Sequence, residues 1–182
     1  MGLTAVALLT GCVLGLVAGG RLAALGEVHL RWWGVLLAGV GLQLLAGPVG
    51  VGGRPGTTAV AGSYLCLLGF ALANRSLPAM PIVVAGLALN ATVILVNGGM
   101  PVRPEAVSAV GLDPDELDAA DLGAKRHLEG PDDRLTFLGD VLPLRPLGEV
   151  VSLGDLVLAV GVAGFLFRVL RPRPLSPSLP SG

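Results

Sequence analysis

The hydrophobic positions of this chain fall into five long runs, separated by short polar connections and, once, by a long polar segment. The runs cover about residues 3–20, 33–49, 58–74, 79–96 and 152–170. Each is close to the roughly 20 apolar residues that a transmembrane helix requires. The pattern therefore predicts an all-α membrane protein, a single bundle domain of about five transmembrane helices over residues 1–170.

The long polar segment, residues 97–151, joins the fourth and fifth predicted helices and is too long for a passive connection. It carries helix-start signals of its own, since Pro104 precedes a short helical pattern and Asp113 to Glu116 has the form of a helix cap. We expect a structured loop that lies on one end of the bundle. The Pro- and Ser-rich residues 171–182 are predicted to form a disordered tail.

The composition supports a membrane protein and excludes one class of partner. The chain is 53% hydrophobic and 14% charged, with a mean hydropathy of +0.78, whereas a soluble domain carries about 25% charged residues. Its principal partner is therefore predicted to be the lipid bilayer. The chain has a single lysine and no basic cluster, so nucleic acid is not an expected partner. Cys12 and Cys66 both lie inside apolar runs, and we expect them to pack rather than to bind a metal or a cofactor.

The arginines next to the predicted helices are distributed unevenly between the two sides of the membrane. One side receives six of them: Arg21, Arg31, Arg75, Arg168, Arg171 and Arg173. The other side receives Arg54, with the long polar segment set aside for its length and acidity. Because basic residues near the ends of the spans mark the cytoplasmic face, we expect a plasma-membrane protein with its N-terminus and residues 97–151 outside and its C-terminus in the cytoplasm.

Small residues recur along the first and last predicted helices. Gly11, Gly15 and Gly19 are spaced by four and share one helix face, and Gly161 lies in the last helix. In lipid, such faces allow two helix backbones to approach closely. They could form a homodimer seam or dock a membrane protein partner. We favour contact with another helix of the same chain, because a compact bundle needs such a face.

Two neutral polar side chains, Gln43 and Asn90, lie within predicted spans, and both should point inward and form hydrogen bonds. The long segment and the start of the last span add ionisable groups, of which four could converge at the outer mouth of the bundle: Asp140, Asp155, His127 and Arg126. Two carboxylates and a histidine could bind a divalent cation or act as acid and base. The simpler interpretation is that Asp155 caps the last helix, Asp140 caps a turn and His127 is solvated. No catalytic residue or metal ligand is assigned, and the candidate ligand-binding residues are Asn97, His127, Asp140, Asp155, Gln43 and Asn90.

A series of short motifs resembles a known family. The motifs are Asn97-Gly98-Gly99-Met100-Pro101-Val102, His127, Leu138-Gly139-Asp140-Val141-Leu142-Pro143 and Ser152-Leu153-Gly154-Asp155, with a Gly19-Gly20-Arg21-Leu22 turn. In this order they are similar to those of a bacterial family of small multi-pass membrane proteins of unknown function. The resemblance covers most of the chain from Leu3 to Leu170. It implies an uncharacterised plasma-membrane protein and supplies no substrate, cofactor or catalytic residue.

Three functional hypotheses follow from these observations. The first is an accessory or ligand-binding subunit that uses its extracytoplasmic loop. The second is a carrier for a small or lipid-like molecule, with a cavity lined by Gln43, Asn90 and Tyr64. The third is an intramembrane enzyme that acts on lipid at the outer surface through Asp140 and His127, which requires those two side chains within hydrogen-bond reach. The absence of a known catalytic motif favours the first hypothesis.

Overall fold

The fold was analysed in a computed structural model, which describes residues 2–46, 53–117 and 122–171. The helices of these residues are α1 (Gly2–Val17), α2 (Trp33–Ala46), α3 (Gly53–Ala73), α4 (Met80–Asn97), α5 (Pro104–Ala109) and α6 (Leu153–Leu170). The strands are β1 (Met100–Val102), β2 (Arg126–Leu128), β3 (Asp140–Leu144) and β4 (Glu149–Ser152). Short 3-10 turns lie at Leu22–Glu27, Thr136–Leu138 and Arg145–Leu147.

The five long helices pack as a chain of neighbours. Helix α6 contacts both α1 and α4, helix α4 also contacts α3, and α3 contacts α2. Helix α1 runs parallel to α6, because the N–H of Gly2 donates to Glu149 just before α6 begins (2.7 Å), and Arg21 donates to the carbonyl of Leu170 where α6 ends (3.1 Å). The start of α1 and the strand β4 therefore share one end of the molecule.

Glycine allows the closest of these helix contacts. A Cβ atom at Gly11 would lie 2.6 Å from the carbonyl oxygen of Ala163 in α6. One at Gly86 in α4 would lie 2.6 Å from the backbone nitrogen of Leu158 in α6. Because real Cβ atoms essentially never make such short contacts, α6 needs glycine on both neighbouring helices to approach them this closely.

The predicted glycine faces are occupied largely within the chain. Gly15 lies against the side chain of Leu170, and Gly161 lies against Val83 of α4. Gly19 plays a different part, since it follows α1 with a left-handed backbone (φ 84°) and is exposed. Contact within the chain, the interpretation favoured from the sequence, accounts for Gly11, Gly15 and Gly161. A homodimer or partner seam through these faces stays a prediction without support from their packing.

Within the part of the chain that the structure describes, three helices are long and apolar enough to span a membrane: Pro55–Ala73 within α3, Met80–Asn97 and Leu153–Leu170. Helices α1 and α2 are apolar but shorter, with 16 and 14 residues. The mostly helical fold and three candidate spans are confirmed, whereas a bundle of five spans stays a prediction. Helix α3 begins five residues earlier than expected, α1 ends three residues earlier, and residues 47–49 of the predicted second span lie outside the described residues.

The apolar surface of the bundle faces outward to an extent that a soluble monomer does not show. Large side chains remain exposed along α1, α2 and α6, for example Val17 at 80%, Trp33 at 64% and Val160 at 62%. Extensive exposed apolar surface of this kind marks contact with lipid or with another protein. The buried core lies between α3 and α4 and includes Tyr64 and Ile94.

The chief difference from the predicted all-α fold is a four-stranded sheet in the segment between α4 and α6. Its strand order is β2-β1-β3-β4, with β1 parallel to both neighbours and β3 antiparallel to β4. We refer to residues 98–152, which contain this sheet, as the cap. Because β1 follows α4 directly and β4 leads directly into α6, the cap sits on the adjoining ends of two packed helices.

The helical parts of the cap agree only partly with expectation. The short helix predicted after Pro104 is present as α5. At the second predicted helix start, Asp113 accepts a hydrogen bond from the N–H of Asp115 (3.0 Å), and the chain forms a turn. Residues 118–121 of that predicted helix and residues 172–182 of the predicted tail lie outside the described residues.

Candidate functional site: a charged cluster beneath the cap

A hydrogen-bonded network joins the middle of α4 to the first turn of α6. The side chain of Asn90 is completely buried. Its amide nitrogen donates to Asp155 Oδ1 (2.6 Å), and its amide oxygen accepts from the hydroxyl of Ser152 (2.9 Å). Gly154 makes this approach possible, because a Cβ atom there would collide with the Asn90 amide.

Ser152 and Asp155 also begin helix α6. The backbone N–H of Asp155 donates to the Ser152 hydroxyl (2.9 Å), and the N–H of Ser152 donates to Asp155 Oδ2 (3.3 Å). This is a capping box, which satisfies two otherwise unpaired donors at a helix start. Asp155 therefore caps α6, as the simpler interpretation of the sequence predicted, and its other oxygen is bound to Asn90. Both of its oxygens are occupied.

Asp140 is the most buried charge of the cap. It opens β3 opposite Ser152 of β4, and none of its side chain is exposed. Its Oδ2 lies 2.7 Å from Nε of Arg126 in β2. The Arg126 N–H does not point along this line, so the contact is an ion pair rather than an aligned hydrogen bond. Neither oxygen of Asp140 has an aligned hydrogen-bond partner among the described residues.

Lys125, the only lysine of the sequence, lies beside the same groups. Its ammonium is 5.5 Å from the centre of the Tyr64 ring in α3, a cation–π distance. Among the described residues it forms no ion pair within 4.0 Å. The hydroxyl of Ser63, the residue before Tyr64, is buried and has no hydrogen-bond partner among the described residues. We refer to Asn90, Lys125, Arg126, Asp140, Ser152 and Asp155 as the cap cluster.

The environment of the cap cluster changes the proton affinity of two members. Burial raises the pKa of the Asp140 carboxyl above its usual value, and the cations of Arg126 and Lys125 oppose this only in part. Burial lowers the pKa of the Lys125 ammonium, but Tyr64, Asp155 and Asp140 outweigh that effect and raise it above its usual value. Perturbed ionisable groups that gather in one place are typical of functional sites.

His127 does not belong to this cluster. Its Nε2 atom lies 2.9 Å from Asp133 Oδ1, and Asp133 also accepts from the N–H of Gly130 (2.8 Å). His127 therefore links β2 to the loop at residues 130–133. The expected convergence of His127 with Asp140 is not found. His127 and Arg126 are successive residues of β2, so their side chains point to opposite faces of the sheet, and it is Arg126 that reaches Asp140.

Asn97 holds another loop of the cap in place. Its amide nitrogen donates to the carbonyl of Arg134 (2.8 Å), and its amide oxygen accepts from the N–H of the same residue (2.8 Å). Asn74, at the end of α3, binds the backbone of Arg31 in the same way at 2.8 and 2.9 Å. Both asparagines thus fasten a connection to the end of a helix. No ligand-binding role is needed to explain Asn97.

Gln43 lies apart from Asn90, with which the sequence pattern had grouped it. Gln43 is half-buried on α2, which packs against α3, whereas Asn90 faces α6. Sequence reasoning grouped Arg126 with Asp140 but did not predict their ion pair, and it missed the proximity of Lys125. The Ser-x-x-Asp spacing of Ser152 and Asp155 is a capping-box signal that could have placed both at a helix start.

A family model described as a family of unknown function (DUF5317) matches residues 27–167. The chain belongs to this family. The match extends from the connection before α2 to the last turn of α6, so it includes the whole cap cluster. It agrees with the family of unknown function that the motifs resembled, and it supplies no activity.

One relative is an uncharacterized protein of Thermotoga maritima. It is 33% identical over 115 residues, which cover 61% of this chain and 62% of the relative. The match therefore spans less than two thirds of the relative's length. No solved structure matches the chain.

Proposed function

We propose that this family member is a small plasma-membrane protein that binds a small polar ligand beneath its extracytoplasmic cap, as an accessory or ligand-binding subunit. The observation that carries the proposal is Asp140, a fully buried carboxylate whose Oδ2 is ion-paired with Arg126 (2.7 Å) and whose Oδ1 has no partner among the described residues. Buried polar groups are nearly always satisfied, and one that is not calls for an absent partner.

Insertion of all five long helices is part of this proposal. Helix α1 has 16 residues and is about 24 Å long at 1.5 Å per residue, shorter than a hydrocarbon core of about 30 Å. Helix α1 nevertheless runs beside α6 from Gly2 near Glu149 to Gly15 at Leu170. A helix that follows a spanning helix from end to end crosses the same layer. Local thinning accommodates a short span at a modest cost.

The orientation follows from where the charges lie. The start of α1 and the cap share one end, and Arg21, Arg168 and Arg171 lie at the other end. Basic residues next to the spans mark the cytoplasmic side. With the basic residues of the cap set aside, because the segment is long and acidic, the cap faces outward. In a Cys12→Ala, Cys66→Ala background, Ser108→Cys in α5 should react with a membrane-impermeant maleimide in intact cells. Ser76→Cys should react only after the membrane is opened, and the reverse pattern would overturn the orientation.

The charges of the cap cluster indicate the class of ligand. Asp155 is fully engaged by Asn90 and Ser152, which leaves the Asp140 carboxylate as an acceptor and the Lys125 ammonium as a donor. A ligand that carries a hydrogen-bond donor and an anionic group would satisfy both. Charge-assisted hydrogen bonds of this kind are about twice as strong as neutral ones.

The other two hypotheses have less support in the geometry. An enzyme that uses Asp140 with His127 requires the two side chains to meet, but His127 binds Asp133 and Asp140 pairs with Arg126. A carrier with a cavity lined by Gln43 and Asn90 requires the Asn90 amide to be available. That amide already binds Asp155 and Ser152.

Native mass spectrometry of the protein released from its own membrane in mild detergent tests the proposal. The wild type should retain a small-molecule adduct that Asp140→Asn and Lys125→Met each lose. Glu105→Gln, an exposed carboxylate of α5, is the matched control and should retain it. Because two cluster variants are tested, the result can still be interpreted if one of them does not fold. An adduct equally retained by both cluster variants, or a wild type with nothing bound, would contradict ligand binding at this site.

A further inference from the structure

A cavity lies at the end of the bundle opposite the cap. Its volume is about 510 Å³, and it is enclosed by the 3-10 turn after α1, the connection between α3 and α4, and the last turn of α6. The polar residues that line it are Arg21, Glu27, His29, Arg168 and Arg171. With the histidine neutral, three arginines and one glutamate leave this lining with a formal charge of +2.

The arginines of this cavity are available to a ligand. Among the described residues, no carboxylate lies within 4.0 Å of Arg21, Arg168 or Arg171. Glu27, which also lines the cavity, therefore does not neutralise them through an ion pair at that distance. The guanidinium of Arg171 lies 5.7 Å from the centre of the Phe167 ring, which supports the cation without neutralising it.

Hydrogen bonds fix the backbone from which two of these arginines extend. The N–H of Arg21 donates to the carbonyl of Leu170 (3.1 Å), which joins the first connection to the end of α6. Gly20 allows this contact, since a Cβ atom there would collide with the same carbonyl. Asn74 fastens the other end of the connection by two hydrogen bonds to Arg31. The fold therefore brings the backbones of Arg21 and Arg168 to the same cavity.

The rest of the lining is apolar and includes Leu77, Pro78 and Val169. A site with unpaired arginines over an apolar floor suits a ligand with a phosphate and a hydrocarbon portion. Arginine forks bind phosphate oxygens in pairs, and the cytoplasmic leaflet carries anionic lipids that basic pockets between helices recognise.

We propose that this cavity binds a phosphate monoester or diester, either as the headgroup of an anionic phospholipid or as a soluble phosphate ester. The inference rests on the membrane insertion proposed above, and it is independent of the ligand proposed for the cap cluster. The two sites lie at opposite ends of the molecule, so their binding can fail separately.

The test uses the full chain in nanodiscs and in detergent. In nanodiscs made of mixed phosphatidylglycerol and phosphatidylcholine, native mass spectrometry should show retained phosphatidylglycerol on the wild type. The double variant Arg21→Gln, Arg168→Gln should bind it at least about tenfold more weakly, the loss expected from removing charged hydrogen bonds. Arg75→Gln is the matched control, because Arg75 lies exposed at the same end and outside the cavity lining.

The measurement in detergent distinguishes a lipid headgroup from a soluble phosphate ester as the ligand. Glycerol 3-phosphate that displaces the lipid at low millimolar concentration would assign the site to a soluble ester, and failure to displace it would assign the site to the lipid headgroup. Equal retention of phosphatidylglycerol and phosphatidylcholine, or equal loss in the Arg75→Gln control, would overturn the proposal. Arg168→Gln alone provides a second variant if the double variant does not fold.

Discussion

The buried amide of Asn90 should be one of the strongest single links between α4 and α6. Asn90→Ala removes a hydrogen bond to the Asp155 carboxylate at 2.6 Å and one from Ser152 at 2.9 Å. A hydrogen bond to a charged group contributes about 1.5–3 kcal/mol. A neutral bond between helices in a membrane contributes about 0.6 kcal/mol on average. The sum predicts that the free energy of unfolding falls by about 2–4 kcal/mol.

The assay is reversible unfolding in mixed micelles, followed by the fluorescence of Trp32 and Trp33. The matched control is Thr92→Ala on the same helix. The Thr92 hydroxyl is exposed and only donates back to the carbonyl of Ala88 (2.8 Å), so its loss should change stability by less than about 0.5 kcal/mol. A double-mutant cycle with Ser152→Ala isolates the neutral bond.

Two outcomes would refute this role of Asn90. If Asn90→Ala unfolds within about 0.5 kcal/mol of the wild type, as an ordinary surface substitution does, then the network does not bind α4 to α6. If Asn90→Ala and Thr92→Ala destabilise equally, the loss belongs to helix α4 in general. Either result would remove the physical basis of the cap cluster as a unit that joins the two helices.

Two further predictions use the same unfolding assay. Gly86→Ala places a methyl group 2.6 Å from the Leu158 backbone and should lower the free energy of unfolding by about 1–3 kcal/mol through overpacking. The control Gly41→Ala, with nothing within 4 Å of the added methyl group, should leave the free energy of unfolding unchanged. Equal effects of the two substitutions would contradict the tight α4–α6 contact. Burial alone would raise the pKa of Glu149, but donors at the amino end of the chain, among them the N–H groups of Gly2 and Leu3, lower it to about 2. Its stabilising contribution is therefore complete above the ordinary value of 4.5 and is lost as the pH falls toward 2. Glu149→Gln should flatten the fall in stability between pH 4.5 and 2, and an unchanged profile would show that the carboxylate contributes nothing.

Local signals decided how well each part of the cap could be predicted from the sequence. Pro104 and the Ser152–Asp155 spacing act within one helical turn, and the corresponding helices α5 and α6 begin where those signals lie. The strands gave no such signal, since β1 and β2 have three residues each. Strands this short show no alternation of apolar and polar positions. Their pairing joins Met100 to Arg126 across the intervening chain.

Partner choice was the least predictable part of the candidate site. Asp140 and His127 are both plausible site residues by type, and only the folded structure showed that Arg126 reaches Asp140, whereas the next residue of the same strand, His127, contacts Asp133. Asn90 was expected to point inward and does so. Its partner is Asp155, 65 positions along the chain, and not the Gln43 with which it shares only chemical character.

The sequence by itself determined that the chain is rich in apolar helices and where most of them lie. These properties follow from hydropathy, which each residue carries wherever it is placed. Only the tertiary structure decided that the polar segment folds into a sheet and that the glycine faces contact other helices of the same chain. It also decided that Lys125, Arg126 and Asp140 come close together in the cap. Those features depend on contacts between residues far apart in the chain, and a contact has an energy only after the fold has brought its two partners together.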